Sequence, residues 1–504
     1  MSHIEKVLSP PAVFRILDLF AGPGGLDVAA DVLGHQVTGI EWDAGACATR
    51  SAAGMDTFQG DVRQYRAAFF PNAQVLTGGP PCQTFTVAGH GAGRRALDQV
   101  ARYIDRLHEA VCAEDQEWKE IFRVWRKIHE ELRQKEIEAS EVKTRKREVE
   151  ELRAVRRKAM KARLIRLGHP VSAVKGILKV LKTPQNLEFQ DAELKGLLDE
   201  ISDLNGELAK LKDQLEELGD ERTGLVLQPL WWVIERSRRP GSEPYEAVVL
   251  EQVRAVMPVW EKYAEVLASL GYRTATQLMH TEAFGVPQTR RRAVLMARFD
   301  PGALRSKAPL RPGGFPQVPE THEYYQPGGR ITLPPKAPWV SMQSALAGAR
   351  RIARELELEL PDRPAFTVVS NYGTGGVPEA RGRRDHDAPS ATITGKVSRN
   401  RVVHQDTDEE LVPNRFTPAE AGVLQTFPVA YPWSGNDVSQ QIGNAVPPRL
   451  ALHVLRHVLD PRPDSDEAAV GLKRAAADLE AWKPGEPVEI RRHGEWKGHP
   501  LTGR

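Results

Sequence analysis

A chain of 504 residues exceeds what one compact core ordinarily organises, so two to four domains are expected, one of them an insertion. With 41% apolar and 27% charged residues it is no disordered chain, and a formal charge of +2 excludes bulk charge as a nucleic-acid footprint, leaving only local clusters of Lys and Arg. Cys47, Cys82 and Cys112 are too few for a disulfide framework and lack zinc spacing, so no metal is expected; without a leader-like apolar region or a span of roughly 18 apolar residues, the expectation is a soluble, cytoplasmic protein.

In chain order, residues 14–112 alternate short apolar runs with helical patterns, the rhythm of a doubly wound parallel sheet. Residues 14–19, 36–40 and 74–77 read as strands, and 26–33 as an amphipathic helix. Leu17-Asp18-Leu19-Phe20-Ala21-Gly22-Pro23-Gly24-Gly25-Leu26 carries a strand into a glycine-rich turn before a helix. Backbone N–H groups there can approach a ligand, and an acidic residue about twenty positions on, here Glu41, can hold ribose hydroxyls. A plain tight turn has the same pattern. Asp61, in Gly60-Asp61-Val62, is either an acceptor for an adenine amino group or the N-cap of the helix after it.

Gly78-Gly79-Pro80-Pro81-Cys82-Gln83-Thr84-Phe85 puts a cysteine behind two prolines at the carboxyl end of a strand, where open α/β sheets place their active sites. Proline stiffens the backbone that presents the thiol, which favours a nucleophile over a core cysteine. Residues 84–98 hold Gly89, Gly91, Gly93 and the pair Arg94-Arg95, and their glycines allow motion.

From Glu114 the pattern becomes long, charged and helical. Leu194, Leu197, Ile201, Leu204, Leu208, Leu211, Leu215 and Leu218 step by three and four, and Gly168-His169-Pro170 breaks the helices upstream, which predicts an antiparallel coiled-coil hairpin. An ordinary helix pair lying on the core is the alternative. Residues 143–166 hold eleven Lys and Arg against Glu148, Glu150 and Glu151, either a solvated face or a basic arm that grips phosphates or docks a partner. After Gly224 the α/β rhythm returns, with helices at 225–234 and 260–270 and strands at 247–250 and 292–298. Residues 301–412, rich in Gly, Pro and Arg, read as a small, mostly β domain with strand-like runs at 365–370 and 391–394. Residues 415–459 return to helix and turn, and 461–504 read as a polar tail in which 468–482 can form one more helix.

Val248-Val249-Leu250-Glu251-Gln252-Val253, then Gln288-Thr289-Arg290-Arg291-Arg292, then Arg415-Phe416-Thr417-Pro418 with Leu424-Gln425-Thr426-Phe427-Pro428, then Gln441-Ile442-Gly443-Asn444-Ala445-Val446-Pro447-Pro448 follow the Pro-Pro-Cys-Gln turn as an ordered series. In that order and spacing the chain resembles the DNA (cytosine-5)-methyltransferase family over most of residues 14–112, 224–300 and 412–460.

The resemblance implies an α/β, Rossmann-like, S-adenosylmethionine-dependent methyltransferase domain in three pieces, 1–112, 223–300 and 413–460. A helical insertion at 113–222, a target-recognition domain at 301–412 and the tail at 461–504 complete the division. Phe20 would stack on the cofactor adenine, Glu41 hold the ribose and Asp61 bind the adenine amino group. Ala21, Gly22, Gly24 and Gly25 would frame the methionine moiety, with Trp42, Val62, Pro81, Asn444, Ala445 and Val446 closing the pocket. Cys82 would attack carbon 6 of a cytosine flipped out of duplex DNA, Glu251 would protonate or hydrogen-bond ring nitrogen 3, and Arg292, supported by Arg290, would bind the base oxygen. Gln83, Thr84, Arg94, Arg95, Arg383, Arg384, Lys396 and Arg399 are the candidate DNA contacts. The implied setting is a nucleoid-associated bacterial modification enzyme, alone or beside a companion endonuclease, a defence-system protein or a coiled-coil partner.

The residues carry that chemistry on their own terms. Carbon 5 of cytosine is a poor nucleophile, and adding a thiolate at carbon 6 while protonating nitrogen 3 makes it enamine-like. The reaction needs one Cys, one carboxyl with a raised pKa and cationic donors. Taken singly, Glu251, Arg290 and Arg292 also fit a surface ion-pair network, and the rivals for the whole chain are an RNA cytosine-5 methyltransferase and an inactive scaffold. Two departures stand out: Gln252 where the family has Asn, for which Gln252→Asn is expected to keep or raise activity, and the long insertion.

Overall fold

The computed structural model describes residues 13–81, 92–113, 117–180, 190–218, 221–302, 312–327, 336–370, 382–460, 466–495 and 497–502. Two compact units divide the chain, one from residues 1–82, 101–122 and 225–504, the other from 83–100 and 123–224.

The first unit is organised by an eight-stranded sheet in the order β11-β3-β2-β1-β4-β5-β7-β6. Its strands are β1 (Arg15–Leu19), β2 (Gln36–Glu41), β3 (Thr57–Gln59), β4 (Val75–Gly78), β5 (Ala247–Val253), β6 (Tyr272–His280), β7 (Arg291–Phe299) and β11 (Arg491–Arg492). All pairings are parallel except those of β7, which runs antiparallel to β5 and β6. Alternation along the central strands explains why they read as unbroken apolar runs: Ile16, Val75 and Val249 enter one core, while Leu17, Leu76, Val248 and Leu250 are buried on the other face. Helices α1 (Gly25–Val32) and α2 (Ala44–Ala52) are the first crossovers.

The second unit is helical. It takes in parts of α3 (Ala92–Cys112) and α4 (Trp118–Arg166), then α5 (Val171–Val180) and α6 (Ala192–Leu218). Ion pairs from Arg145 to Glu207 (2.9 Å), Arg156 to Glu200 (2.5 Å) and Arg163 to Asp191 (2.6 Å) run in opposite directions along α4 and α6, so the two helices are antiparallel. Of the predicted seam, Leu194, Ile201 and Leu211 are buried and the rest half-buried. Met160, Leu164, Val174, Leu194 and Ile201 form a small core at the distal end.

The first unit resumes with α7 (Gln228–Arg238) and α8 (Met257–Ser269). The region read as mostly β is instead built on a helix, α9 (Met342–Glu355), against three short antiparallel strands, β8 (Phe366–Val369), β9 (Arg383–Asp385) and β10 (Arg401–His404). Ser341 caps α9 by accepting from Ser344 N at 3.1 Å. The small core around Met342, Leu346 and Phe366 takes in Phe416, Leu424 and Ile442, so it runs past residue 412 into α10 (Pro418–Leu424) and α11 (Val438–Asn444).

The last segment is no loose polar tail. After α12 (Pro448–Leu459), the helix α13 (Asp466–Glu480) sets Ala475, Ala476 and Leu479 into the main core, and β11 adds the outermost strand beside β3. An edge strand of two arginines has no apolar periodicity to betray it. Among the described residues no helix is long and apolar enough to cross a membrane, and no cluster of His, Cys, Asp and Glu has the makings of a metal site.

Candidate active site

Strand register assembles the site. Leu19 pairs with Ile40 and Gly78, and Gly78 with Leu250, so the next residues, Glu41, Phe20, Gly79 and Glu251, lie at one level along the carboxyl edge of four adjacent strands. Antiparallel β7 brings Arg292 to the same edge, where it pairs with Val253.

The glycine turn leaves β1 through Phe20 at φ 60° and Gly24 at φ 101°. A positive φ on a bulky residue is backbone strain, which concentrates at ligand sites. A Cβ on Gly25 would meet Val446 O at 2.0 Å, so the turn packs directly on the Asn444-Ala445-Val446 segment, in which Ala445 is buried and Asn444 exposed. Glu41 braces the turn, accepting from Gly22 N and Asp43 N, both at 2.7 Å. Burial raises its carboxyl pKa against those two bonds. Beside it Trp42 is 68% exposed, and Val62 is buried. Asp61 caps the short helix at Val62–Gln64, accepting from Arg63 N at 2.9 Å, and its carboxylate also pairs with the Arg63 guanidinium at 2.6 Å. The capping role is therefore present, and Arg63 shares the carboxylate.

A buried charge network underlies this turn. Arg50 makes a two-pronged pair with Asp27 at 2.6 and 2.9 Å, and Gly39 makes room for it, since a Cβ there would lie 2.2 Å from Arg50 Nη2. Asp18 accepts from Thr77 Oγ1 at 2.6 Å; burial first, and Asp27 second, push its pKa up to about 8. Nothing in the spacing of Asp18, Asp27 and Arg50 announces that they meet.

Glu251 is 7% exposed, with Arg292 Nε 2.7 Å from its Oε1. Its carboxyl lies beside Gly79, close to the Pro80-Pro81 turn, and burial raises its pKa although Arg292 and Arg290 pull the other way. Arg290, implied as the support of Arg292, is held by backbone carbonyls. It is 2% exposed, and its guanidinium donates to the carbonyls of Ile393 (2.9 Å), Gly443 (3.0 Å) and Ala445 (3.3 Å), so it ties the segment around Ile393 and the Asn444-Ala445-Val446 segment to the start of β7.

Gln252 donates its side-chain amide to Pro80 O and accepts from Val253 N at 2.5 Å. The longer side chain thus reaches the proline turn itself, which argues against the expectation drawn from the family pattern. Shortening it by one methylene withdraws the amide by about 1.5 Å, one C–C bond. Gln252→Asn is expected to lower kcat/KM by roughly three- to tenfold, the scale of one net hydrogen bond. Equal or higher activity in a side-by-side assay would restore the family-based expectation.

Cys82, Gln83 and Thr84 lie outside the described residues, as does the side chain of Arg94. Arg95 is exposed and belongs to the second unit. Arg383 pairs with Asp408, Arg384 lies 4.6 Å over the Tyr325 ring, and Lys396 and Arg399 are exposed on either side of buried Val397. The motif glutamines were overlooked as positioning groups. Gln288 bonds Gln425 Oε1 (2.9 Å) and receives Ile393 N (2.8 Å), Gln425 reaches Ile442 O (2.8 Å), and Gln441 receives Thr49 Oγ1 (2.7 Å). A buried glutamine must find partners for its amide, and these three find them in one another's motifs and in Thr49.

The family model for C-5 cytosine-specific DNA methylases matches residues 14–108 and 343–460. Similar proteins include Type II methyltransferase M.SacI of Streptomyces achromogenes, 26% identical over 44% of this chain and 61% of that protein. Type II methyltransferase M1.HphI of Haemophilus parahaemolyticus is 28% identical over 39% of this chain and 50% of that protein. The chain thus spans about half to three fifths of the length of these relatives. Among solved structures, the S. pombe Dnmt2 methyltransferase aligns with a TM-score of 0.42 at 12% identity, covering 90% of this chain and 100% of that one.

Proposed function

Because this chain belongs to the C-5 cytosine-specific DNA methylase family, we propose that it methylates carbon 5 of a cytosine flipped out of duplex DNA, using S-adenosylmethionine and a covalent Cys82 adduct at carbon 6. The observation that carries the reading is the buried Glu251–Arg292 pair, at one level with the Glu41-braced glycine turn and next to the proline turn that leads into Cys82. S-adenosylmethionine supplies an electrophilic methyl group. The donor set suits it: Glu41 oxygens for ribose hydroxyls, the Trp42 ring and strained Phe20 for adenine, and a side-chain-free cradle at Gly24 and Gly25.

In this reading the Cys82 thiolate adds to carbon 6 while Glu251 gives its proton to nitrogen 3, so the electrons of the C5=C6 bond form a neutral enamine across carbons 4 and 5 rather than a ring anion. Arg292 faces the base oxygen and keeps Glu251 oriented, and Arg290 fixes the wall on which the base rests. After carbon 5 takes the methyl group, with the sulfonium leaving as a neutral thioether, it loses its proton to water, and elimination of the Cys82 thiolate with return of the nitrogen-3 proton to Glu251 restores the aromatic ring. A base in a duplex hides carbon 6, so the target must leave the stack. The test is transfer of labelled methyl from S-adenosylmethionine to duplex DNA and, in parallel, to RNA. Label in DNA with tritium release from carbon-5-tritiated cytosine is expected; label in RNA alone, or in neither, refutes the reading.

The hairpin adds a DNA contact at its distal end in the same reading. Arg145, Arg156 and Arg163 are paired with Glu207, Glu200 and Asp191, whereas Lys158, Lys161, Arg166, Lys175 and Lys179 are exposed in a stretch, residues 152–180, that holds no acidic residue. Each phosphate contact contributes about 0.9 to the slope of log affinity against log salt. Changing Lys158, Lys161 and Arg166 to Gln is therefore expected to flatten that slope by about 2.7 with the melting temperature unchanged. An unaltered slope removes the hairpin from the DNA interface.

A further inference from the structure

The segment beyond residue 460, where the family match ends, returns to the cofactor end of the sheet. β11 pairs with β3 in the register Arg491–Phe58 and Arg492–Gln59, so His493 arrives level with Gly60 and Asp61. Its Nε2 lies 2.7 Å from Gln64 O, a carbonyl that can only accept, so this ring nitrogen carries the proton and donates. The ring stands edge-on to Tyr65 (5.0 Å between centroids) and Phe69 (6.4 Å). Tyr65 in turn donates to Gln59 O at 3.0 Å. The short helix that Asp61 caps, Val62–Gln64, is thus held at its far end by a residue more than four hundred positions away.

The rest of the segment is tied down at the opposite end of β3. Asp56 is the hub, accepting from Thr38 Oγ1 (2.7 Å), from His499 Nε2 (2.5 Å) and from Arg491. His499 is 3% exposed, edge-on to Phe58 at 5.0 Å, and its other nitrogen accepts from Leu501 N at 3.2 Å. Asn72 binds the carbonyls of Pro500 (2.9 Å) and Leu501 (3.1 Å). With both ends of β11 anchored, His493 has little freedom to leave the Gln64 carbonyl.

We propose that residues 491–493 form a strap that sets the Asp61–Gln64 turn for the adenine end of S-adenosylmethionine, with His493 as its positioning residue. The inference rests on the proposed cofactor site. A strap of this kind acts on cofactor affinity and not on the chemical step, because Glu251 and the proline turn are held by β4, β5 and β7 and not by β11. His493→Ala removes the donor and the ring; His493→Gln keeps an N–H donor for the Gln64 carbonyl. The experiment uses the full chain and measures the Kd of S-adenosylhomocysteine by calorimetry and kcat at saturating S-adenosylmethionine. The expected result is a five- to tenfold weaker Kd for His493→Ala, a Kd within about twofold of wild type for His493→Gln, and an unchanged kcat. Combined with Asp61→Ala, the loss should be smaller than the product of the single losses, since both act through one turn. Wild-type Kd in His493→Ala, or a fall in kcat with Kd unmoved, overturns the inference alone. A wild-type protein that does not bind S-adenosylhomocysteine overturns the cofactor reading and the strap together.

Discussion

Cys82→Ser is expected to abolish methyl transfer, by at least about 10⁴-fold, the scale on which loss of a covalent nucleophile registers. A hydroxyl in that position is barely ionised near neutral pH, whereas a thiol is only one or two units above it. Cofactor affinity should stay within a few fold, because Glu41, Asp61 and the glycine turn are held by other strands. Duplex DNA carrying 5-fluorocytosine should trap the wild type covalently, since fluorine at carbon 5 cannot leave as the proton does. Retained turnover in the serine variant, or no trapped complex with wild type, would sink the nucleophile assignment.

Glu251→Gln is expected to cost about 10²- to 10³-fold in kcat, within the usual range for a general acid. The amide still hydrogen-bonds but has no proton to give to nitrogen 3. The sign of the pH dependence follows from burial, which raises the carboxyl pKa against the pull of Arg292 and Arg290. The protonated form is the working one, so the wild-type rate should be highest below that raised pKa and fall as pH rises through it. The glutamine variant should lose this limb and keep whatever Cys82 ionisation imposes on the acid side. A variant with the wild-type pH profile would show that Glu251 is not the acid.

What the sequence revealed was local. The glycine turn, the proline turn and the glutamate after an apolar strand are each written in consecutive residues, and parallel register alone then brings Phe20, Glu41, Gly79 and Glu251 to one edge. Contacts that cross long stretches of chain were invisible. Arg290 reads as a support for Arg292 because its motif neighbours are cations, and only the fold reveals carbonyls 103 to 155 residues away surrounding it. The α9 helix was missed in a Gly- and Pro-rich region whose composition argued for irregular structure, though Ser341 is a residue type that caps helices. The last forty residues looked like solvent-facing tail because an edge strand and a salt-bridged anchor at Asp56 require no apolar pattern. Gln252 reads by the family pattern as a displaced amide, and only the fold reveals that this amide still meets Pro80 O.

The central claim is most directly tested by bisulfite sequencing of DNA from cells that express the wild-type chain or its Cys82→Ser variant. The account predicts cytosines protected from conversion at one recurring sequence in the wild type and none in the variant. Complete conversion in both would contradict it, and so would protection that persists without the thiol.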